Sequence, residues 1–390
     1  MTRAPHFEID MAALSRDPYP IFAAMRRDAP IAYVPALDGV MLTRRDDVVA
    51  AERHIELFSS HQPAGLMNRL MGQNLMRKDG EAHKAERRAI YPALSPKAVS
   101  ASWEAIFEQA ADHLLDRMEP KGKADLVADY ALPLSAEALK AITGLTNITY
   151  QEMDAWSQAM IDGIANYGGD PEVEARCHAA TAAIDSAIDD MTPLAQKRPD
   201  RSLLSVMLEA GMPMDSLRAN IKLAISGGQN EPRDAIAGAA WALIAHPDQL
   251  TLAQTGKASW MQVFDEYVRW LSPIGMSPRR VAAGADFLGI SFEPETRIFL
   301  MFSSANRDEA HFAEPARFDI TRDTSGSIAF GAGPHICAGV FTAKTLVGKV
   351  ALPRLFERLP GLRLDPQSPV TFSGWAFRGP LALRVLWDPV

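Results

Sequence analysis

The run Phe330-Gly331-Ala332-Gly333-Pro334-His335-Ile336-Cys337-Ala338-Gly339 constrains this chain more than any other stretch. It sets a cysteine in a glycine-punctuated loop that leads straight into an apolar, helix-forming segment. Gly331, Gly333 and Gly339 permit positive φ and close backbone approach, so amide N–H groups can point at the sulfur and at a planar group lying on it. Two cysteines in 390 residues cannot build a disulfide framework. Cys177 lies in a polar helical stretch and reads as incidental, whereas Cys337 is placed to act as a thiolate ligand to a metal. The plainer reading of the same residues is a structural cysteine at a turn before a helix.

The segment fills every specified position of F-G-x-G-x-H-x-C-x-G and resembles the haem-binding signature of the cytochrome P450 superfamily. That resemblance implies a mainly α fold with a small β-rich lobe, a triangular helical prism around haem b (iron protoporphyrin IX). It also implies Cys337 as the iron ligand, in a loop shaped by Phe330, Gly331 and Gly339. Thiolate ligation favours O–O cleavage, so the expected activity is that of a haem-thiolate monooxygenase, an oxidoreductase that inserts one atom of O2 into its substrate.

Further motifs follow the family's pattern. Glu266 and Arg269 lie three apart in an apolar-periodic stretch that ends at Ser272-Pro273, where proline stops a helix. On spacing alone such a pair is a solvated ion pair; the resemblance makes it a buried structural pair, joined by Arg317 from the segment Phe312–Phe318. His83 and Arg87, four apart, resemble the family's pair that grips a haem propionate. Arg280 and His335 match further propionate ligands, arginine offering bidentate geometry to a carboxylate.

Length and composition agree with one large continuous domain over 1–390. The chain is 47% hydrophobic, with no Ser/Gly-rich linker, charge block or repeat. Ile31–Val34 and Val40–Thr43, flanking Asp38-Gly39, read as a hairpin. A β-rich lobe is expected from about 28–60, 279–300 and 370–388, and a helical body from about 81–270 and 338–357. The N-terminal residues hold no apolar span or signal-peptide core, so a soluble, cytoplasmic protein with no membrane contact is expected. The net charge of −8 argues against nucleic acid as a partner. Electrons are expected from a separate ferredoxin or flavodoxin with an NAD(P)H reductase. Lys84, Arg87, Arg88, Lys344 and Lys349 form a basic group that suits an acidic carrier, although an ordinary solvated basic face reads the same way.

The family's acid–alcohol pair, A/G-G-x-D/E-T, is altered here. Gly227-Gly228-Gln229-Asn230-Glu231-Pro232 puts Asn230 at the acid position and Glu231 at the threonine position or, with a slip of one residue, Glu231 at the acid position and Pro232 at the threonine position, with no alcohol either way. Glu231 is the carboxylate nearest to that role, and burial would favour its neutral form. The apolar pattern runs on from Leu217 through Leu243, predicting one long helix opened at Pro232. The alternative is a helix that ends at Gly227-Gly228 and a second that starts at Asn230-Glu231-Pro232.

The resemblance implies a substrate pocket containing Met71, Tyr167, Ile225, Ile274 and Phe377. This lining is apolar and partly aromatic, suited to a small apolar or aromatic molecule. The Gly-Gly-x-x-Glu-Pro stretch and Trp375-Ala376-Phe377-Arg378-Gly379-Pro380 resemble a bacterial subgroup that includes aromatic O-demethylases, making a methoxyarene the expected substrate. Two alternatives stand beside it. A peroxide-driven haem-thiolate peroxygenase is suggested by the missing threonine, and a non-catalytic haem-binding sensor by the altered acid–alcohol pair.

Overall fold

The short apolar runs Ile31–Val34 and Gly39–Leu42, buried on both faces, form an antiparallel hairpin with Ile31 opposite Leu42 and Val34 opposite Gly39. The turn is a 3₁₀ segment, Pro35–Leu37, closed by Asp38 at φ 46, so Gly39 is already in the strand rather than in the turn. The structure is a computed structural model and describes residues 4–166 and 168–388.

Two units can be distinguished. One gathers the chain up to Gln62, Gly238–Cys337 and Pro369–Leu381; the other gathers Pro63–Ala237, Ala338–Ser368 and the chain from Ala382.

The first unit is built on a five-stranded sheet. Its spatial order is Ile31–Val34, Gly39–Leu42, Arg297–Leu300, Ser277–Val281 and Phe58–Ser59, antiparallel except between Gly39–Leu42 and Arg297–Leu300. The period of two divides its side chains between two apolar clusters. Val40, Leu42, Ile298, Leu300 and Val281 pack with Val48, Phe58 and Phe302; Ala32, Val34, Met41 and Phe299 pack with Leu14, Phe22 and Met25. Both faces are covered, which makes the sheet a rigid support for the segments that leave it.

The second unit is mainly helical, with Gly80–Leu94, Glu104–Met118, Leu132–Thr143, Tyr150–Ile164, Pro171–Lys197 and Met214–Ser226. Val340–Ala343, Lys344–Ala351 and Leu352–Arg358 follow one another without interruption. A three-stranded sheet orders Lys123–Asp125, Arg384–Leu386 and Arg363–Leu364. The 370–388 region therefore divides: Phe372–Ser373 pairs with Gly379–Pro380, while Arg384–Leu386 joins this separate sheet. A mainly α protein with a small β content is the outcome the sequence predicts. Among the described residues no helix is long and apolar enough to cross a membrane.

The single long helix expected from Leu217 to Leu243 is replaced by two, Met214–Ser226 and Asn230–Ala245, broken over 227–229. Pro232 has no N–H and falls in the first turn of the second helix, where none is needed. Neighbouring groups take up the polar atoms of the break. Ser135 Oγ donates to the Gln229 carbonyl at 2.7 Å, and Gln229 Nε2 donates to Leu132 O at 3.3 Å and to Asp154 Oδ1 at 3.1 Å.

Further along the second helix a Cβ on Gly238 would lie 1.6 Å from the Tyr267 hydroxyl oxygen and 2.3 Å from Cζ. Gly238→Ala is expected to destabilise the protein by about 1–3 kcal/mol in urea unfolding. Adding Tyr267→Phe should recover only part of that loss, because the ring carbon still collides; full recovery would show that the hydroxyl alone is in conflict.

Candidate functional site

The cysteine loop closes on itself. The Cys337 amide donates to Phe330 O at 2.8 Å, Gly331 N–H to Ile328 O at 2.9 Å, and Gly333–His335 forms a single 3₁₀ turn. Gly331 and Gly333 stand at φ 75 and 65, values that side chains rarely adopt. Gly339 differs from expectation: at φ −90 it precedes the helix Val340–Ala343 instead of using the left-handed region. The Phe330 ring is anchored 6.1 Å from that of Phe264, and Cys337 itself is exposed.

Two buried charge pairs frame the approach to this loop. Glu266 and Arg269 on the helix Trp260–Trp270 are each 0% exposed and bonded through both carboxylate oxygens, at 2.6 and 2.7 Å. Arg269 also donates to the carbonyls of Asn306, Pro315 and Arg317. The third member of the cluster, a second guanidinium, is that of Arg322, not of Arg317. Arg322 Nε lies 3.3 Å from Glu266 Oε1 and is mostly buried, whereas the Arg317 side chain is 57% exposed beside Glu314. Arg317 contributes only its carbonyl, because its side chain leaves the segment toward solvent. The second pair is Glu52 with Arg279, which sequence spacing did not mark; Glu52 sits among charged residues at the end of Arg45–Arg53 and reads as solvated.

Other expected ligands are distributed as follows. In the helical unit His83 is buried and Arg87 half-buried, one turn apart on the helix Gly80–Leu94. In the sheet unit Arg280 donates to His61 O at 2.9 Å and pairs with the exposed Glu295, and His335 occupies the 3₁₀ turn before Cys337. Ile274 forms a β-bridge with Phe377, and Gly275 N–H donates to Ala376 O at 2.8 Å, so these two expected pocket segments are joined. Met71 ends the helix Leu66–Met71 and is buried, as is Ile225. The position next to Met71, Gly72, approaches Ala219 of the helix that carries Ile225. Tyr167 lies outside the described residues. Of the expected basic group, Lys84 pairs with Glu81 at 2.8 Å and Lys349 with Glu104 at 2.6 Å, so two of its charges are locally balanced.

Asn230 and Glu231 open the second helix with unusual polarity. Asn230 Oδ1 and both Glu231 carboxyl oxygens are buried, and none has a hydrogen-bond partner. Burial pushes the Glu231 carboxyl up to about 7; its own backbone amide opposes the shift, the Asp234 charge adds to it and Arg233 opposes it. Enclosed polar atoms of this kind call for a bound molecule or water.

The loop chemistry suits a haem. Cys337 offers one sulfur ligand, the neighbouring Ile336 and Phe341 are 46% and 44% exposed, and both are apolar. Among the described residues no three His, Cys, Asp or Glu side chains gather to hold a metal ion.

Residues 260–359 match the sequence profile of the family described as Cytochrome P450. The chain is 27% identical over 388 residues to 6-deoxyerythronolide B hydroxylase of Saccharopolyspora erythraea, covering 93% of each. It is 28% identical over 349 residues to steroid C26-monooxygenase of Mycolicibacterium smegmatis, covering 88% of this chain and 86% of that protein. The crystal structure of CalO2 matches with a TM-score of 0.87 at 25% identity, over 97% of this chain and 98% of that one.

Two outcomes follow. Arg322→Ala should cost about 1–3 kcal/mol by depriving buried Glu266 of a partner, and Arg317→Ala no more than about 0.5 kcal/mol; equal losses in urea unfolding would reject this assignment. Because the folded pKa of Glu231 is raised from 4.5 to about 7, its contribution to stability is complete below about pH 4.5 and is lost as pH rises through about 7. Relative to Glu231→Gln, the wild type should therefore lose stability between about pH 5 and about pH 8; parallel curves would show that the carboxyl does not titrate there.

Proposed function

The chain belongs to the cytochrome P450 superfamily and is a monooxygenase of it, and from that premise we propose how its own residues do the work. The family's cofactor is haem, whose thiolate-ligated iron supplies oxygen activation when bound. The reading taken here is haem b on Cys337, with His83, Arg87, Arg280 and His335 holding the propionates and Phe330, Gly331 and Gly339 shaping the loop. The observation that carries it is the self-closed loop, in which left-handed Gly331 and Gly333 and the Cys337–Phe330 hydrogen bond present an exposed cysteine. Arg280 would exchange Glu295 for a propionate at little cost, since Glu295 is 67% exposed.

Glu231 is assigned to proton delivery. A carboxyl with a pKa of about 7 holds a proton at its Oε atoms near neutral pH and can give it up again, which is what a general acid needs. Asn230, with its own unpartnered oxygen in the same turn, can hold a water next to it. No hydroxyl follows Glu231, since Pro232 and Arg233 come next. That departure favours a second reading, direct use of hydrogen peroxide.

For substrate, the apolar character of the expected residues, Met71 and Ile225 in the helical unit and Ile274 and Phe377 in the sheet unit, supports a small apolar or aromatic molecule. A methoxyarene hydroxylated at its methyl carbon would give a hemiacetal that collapses to a phenol and formaldehyde. One oxygen atom enters the substrate and the other leaves as water, with two electrons and two protons consumed. The electrons are assigned to a ferredoxin or flavodoxin with an NAD(P)H reductase. The named relatives act on 6-deoxyerythronolide B and on steroids, so the test must include such molecules.

The ferric protein should be titrated with methoxyarenes, alkylphenols, terpenes, fatty acids, a steroid and a macrolide while the Soret band is followed. A high-spin shift with a methoxyarene, then formaldehyde release with ferredoxin and reductase, is the expected result. Shifts confined to the larger or aliphatic ligands would reject demethylation. Fast turnover with peroxide alone would favour the second reading. Cys337→Ser should abolish the thiolate-type band of the ferrous carbon monoxide complex.

A further inference from the structure

The geometry points to Glu52 as a positioning residue for the cysteine loop: its buried carboxylate, charge-balanced by Arg279, holds the Ala332 N–H and thereby sets the loop that presents Cys337. This inference rests on the reading of Cys337 as the haem ligand.

Glu52 and Arg279 are 1% and 2% exposed. A carboxylate is retained in such a place only if it is paired and hydrogen-bonded. One oxygen of Glu52 takes the Arg279 guanidinium, and the other, Oε2, accepts the Ala332 amide at 3.2 Å. The loop also rests on Glu52 sterically. A Cβ at Gly333 would lie 2.9 Å from Glu52 O, and one at Gly331 would lie 3.3 Å from Glu52 Oε2. The two glycines thus serve twice, by adopting positive φ and by admitting this close approach.

Arg279 is itself held in place. Its Nη1 donates to Ser277 Oγ and to Pro278 O on its own strand, Ser277–Val281. The strand alternation turns Arg279 to Glu52 and the next residue, Arg280, the other way, to His61 O and Glu295. One short strand therefore carries both the counter-charge of the loop anchor and an assigned propionate ligand. An ionised acceptor bonds an amide more strongly than a neutral one. The guanidinium also cancels a negative charge that would disfavour a second anion, the thiolate, in the same loop.

The test compares two double variants, Glu52→Gln with Arg279→Gln and Glu52→Met with Arg279→Met. Both remove the buried charges, and only the first keeps an acceptor for the Ala332 amide. Hydrogen exchange of the 328–337 segment is measured on the purified full chain, and the thiolate-type Soret band is measured on the ferrous carbon monoxide complex. The Met pair should speed exchange at Ala332 by at least about tenfold and lower the thiolate-ligated fraction several-fold; the Gln pair should stay near wild type in both. Like behaviour of the two doubles, whether both intact or both impaired, would assign the pair to charge balance or packing and overturn the proposal. So would faster exchange across the whole chain, failure of the Met pair to fold, or faster exchange at Ala332 with an unchanged band. Wild type and Cys337→Ser run alongside separate the two readings. If wild type shows no thiolate band the ligand reading fails, while exchange still decides whether Glu52 anchors the loop.

Discussion

The ion pair between Glu266 and Arg269 has no access to water, and much of the sheet unit is arranged so that neither charge is left wanting. Glu266 also accepts the Asp319 amide at 3.0 Å and faces Arg322, while Arg269 reaches three main-chain carbonyls between Asn306 and Arg317. Each bond ties the helix Trp260–Trp270 to the segment that leads to the cysteine loop. The tie continues through Asn306, whose side chain donates to Ser272 and accepts the Ile328 amide at 2.8 Å, two residues before Phe330. A buried pair is a poor source of net stability, but it is specific: only one path of the 306–322 segment satisfies it.

The loop is thus held from two sides by two kinds of contact. Asn306 holds the Ile328 amide at its entrance, and Glu52 holds the Ala332 amide inside it. Between them Phe330 packs on Phe264 and closes the turn by accepting the Cys337 amide. The backbone leading to the thiol is therefore fixed at two points, Ile328 and Ala332, by buried polar side chains.

In the helical unit the proposed role of Glu231 rests on an interruption rather than on a clamp. The break at 227–229 frees a helix start; Ser135, Leu132 and Asp154 bond the Gln229 carbonyl and side-chain amide nitrogen, while Gln229 Oε1, Asn230 Oδ1 and the Glu231 carboxyl oxygens stay buried without such partners. Burial of that carboxyl raises the Glu231 pKa. A helix continuous through this stretch would have consumed the same backbone groups internally and removed the reason for the surrounding donors.

Local chemistry made some of this legible in the residues themselves. The Phe330–Gly339 motif, the hairpin at 31–42, the helix carrying Glu266 and Arg269, and the mainly α character follow from glycine placement, period and proline stops, all short-range properties. Tertiary packing decided the rest. Which arginine reaches Glu266 depends on how the 306–322 segment folds back, so Arg322 and Arg317 are equivalent on paper and opposite in space. Glu52 and Arg279 are 227 residues apart, and only the sheet brings them together. The break after Ser226 is one of two readings of the same apolar pattern, and the Ser135 hydroxyl and the Leu132 carbonyl, nearly a hundred positions away, supply hydrogen bonds at the broken turn. Spacing along the chain encodes what a residue can do with its near neighbours; burial decides which distant charge it must find.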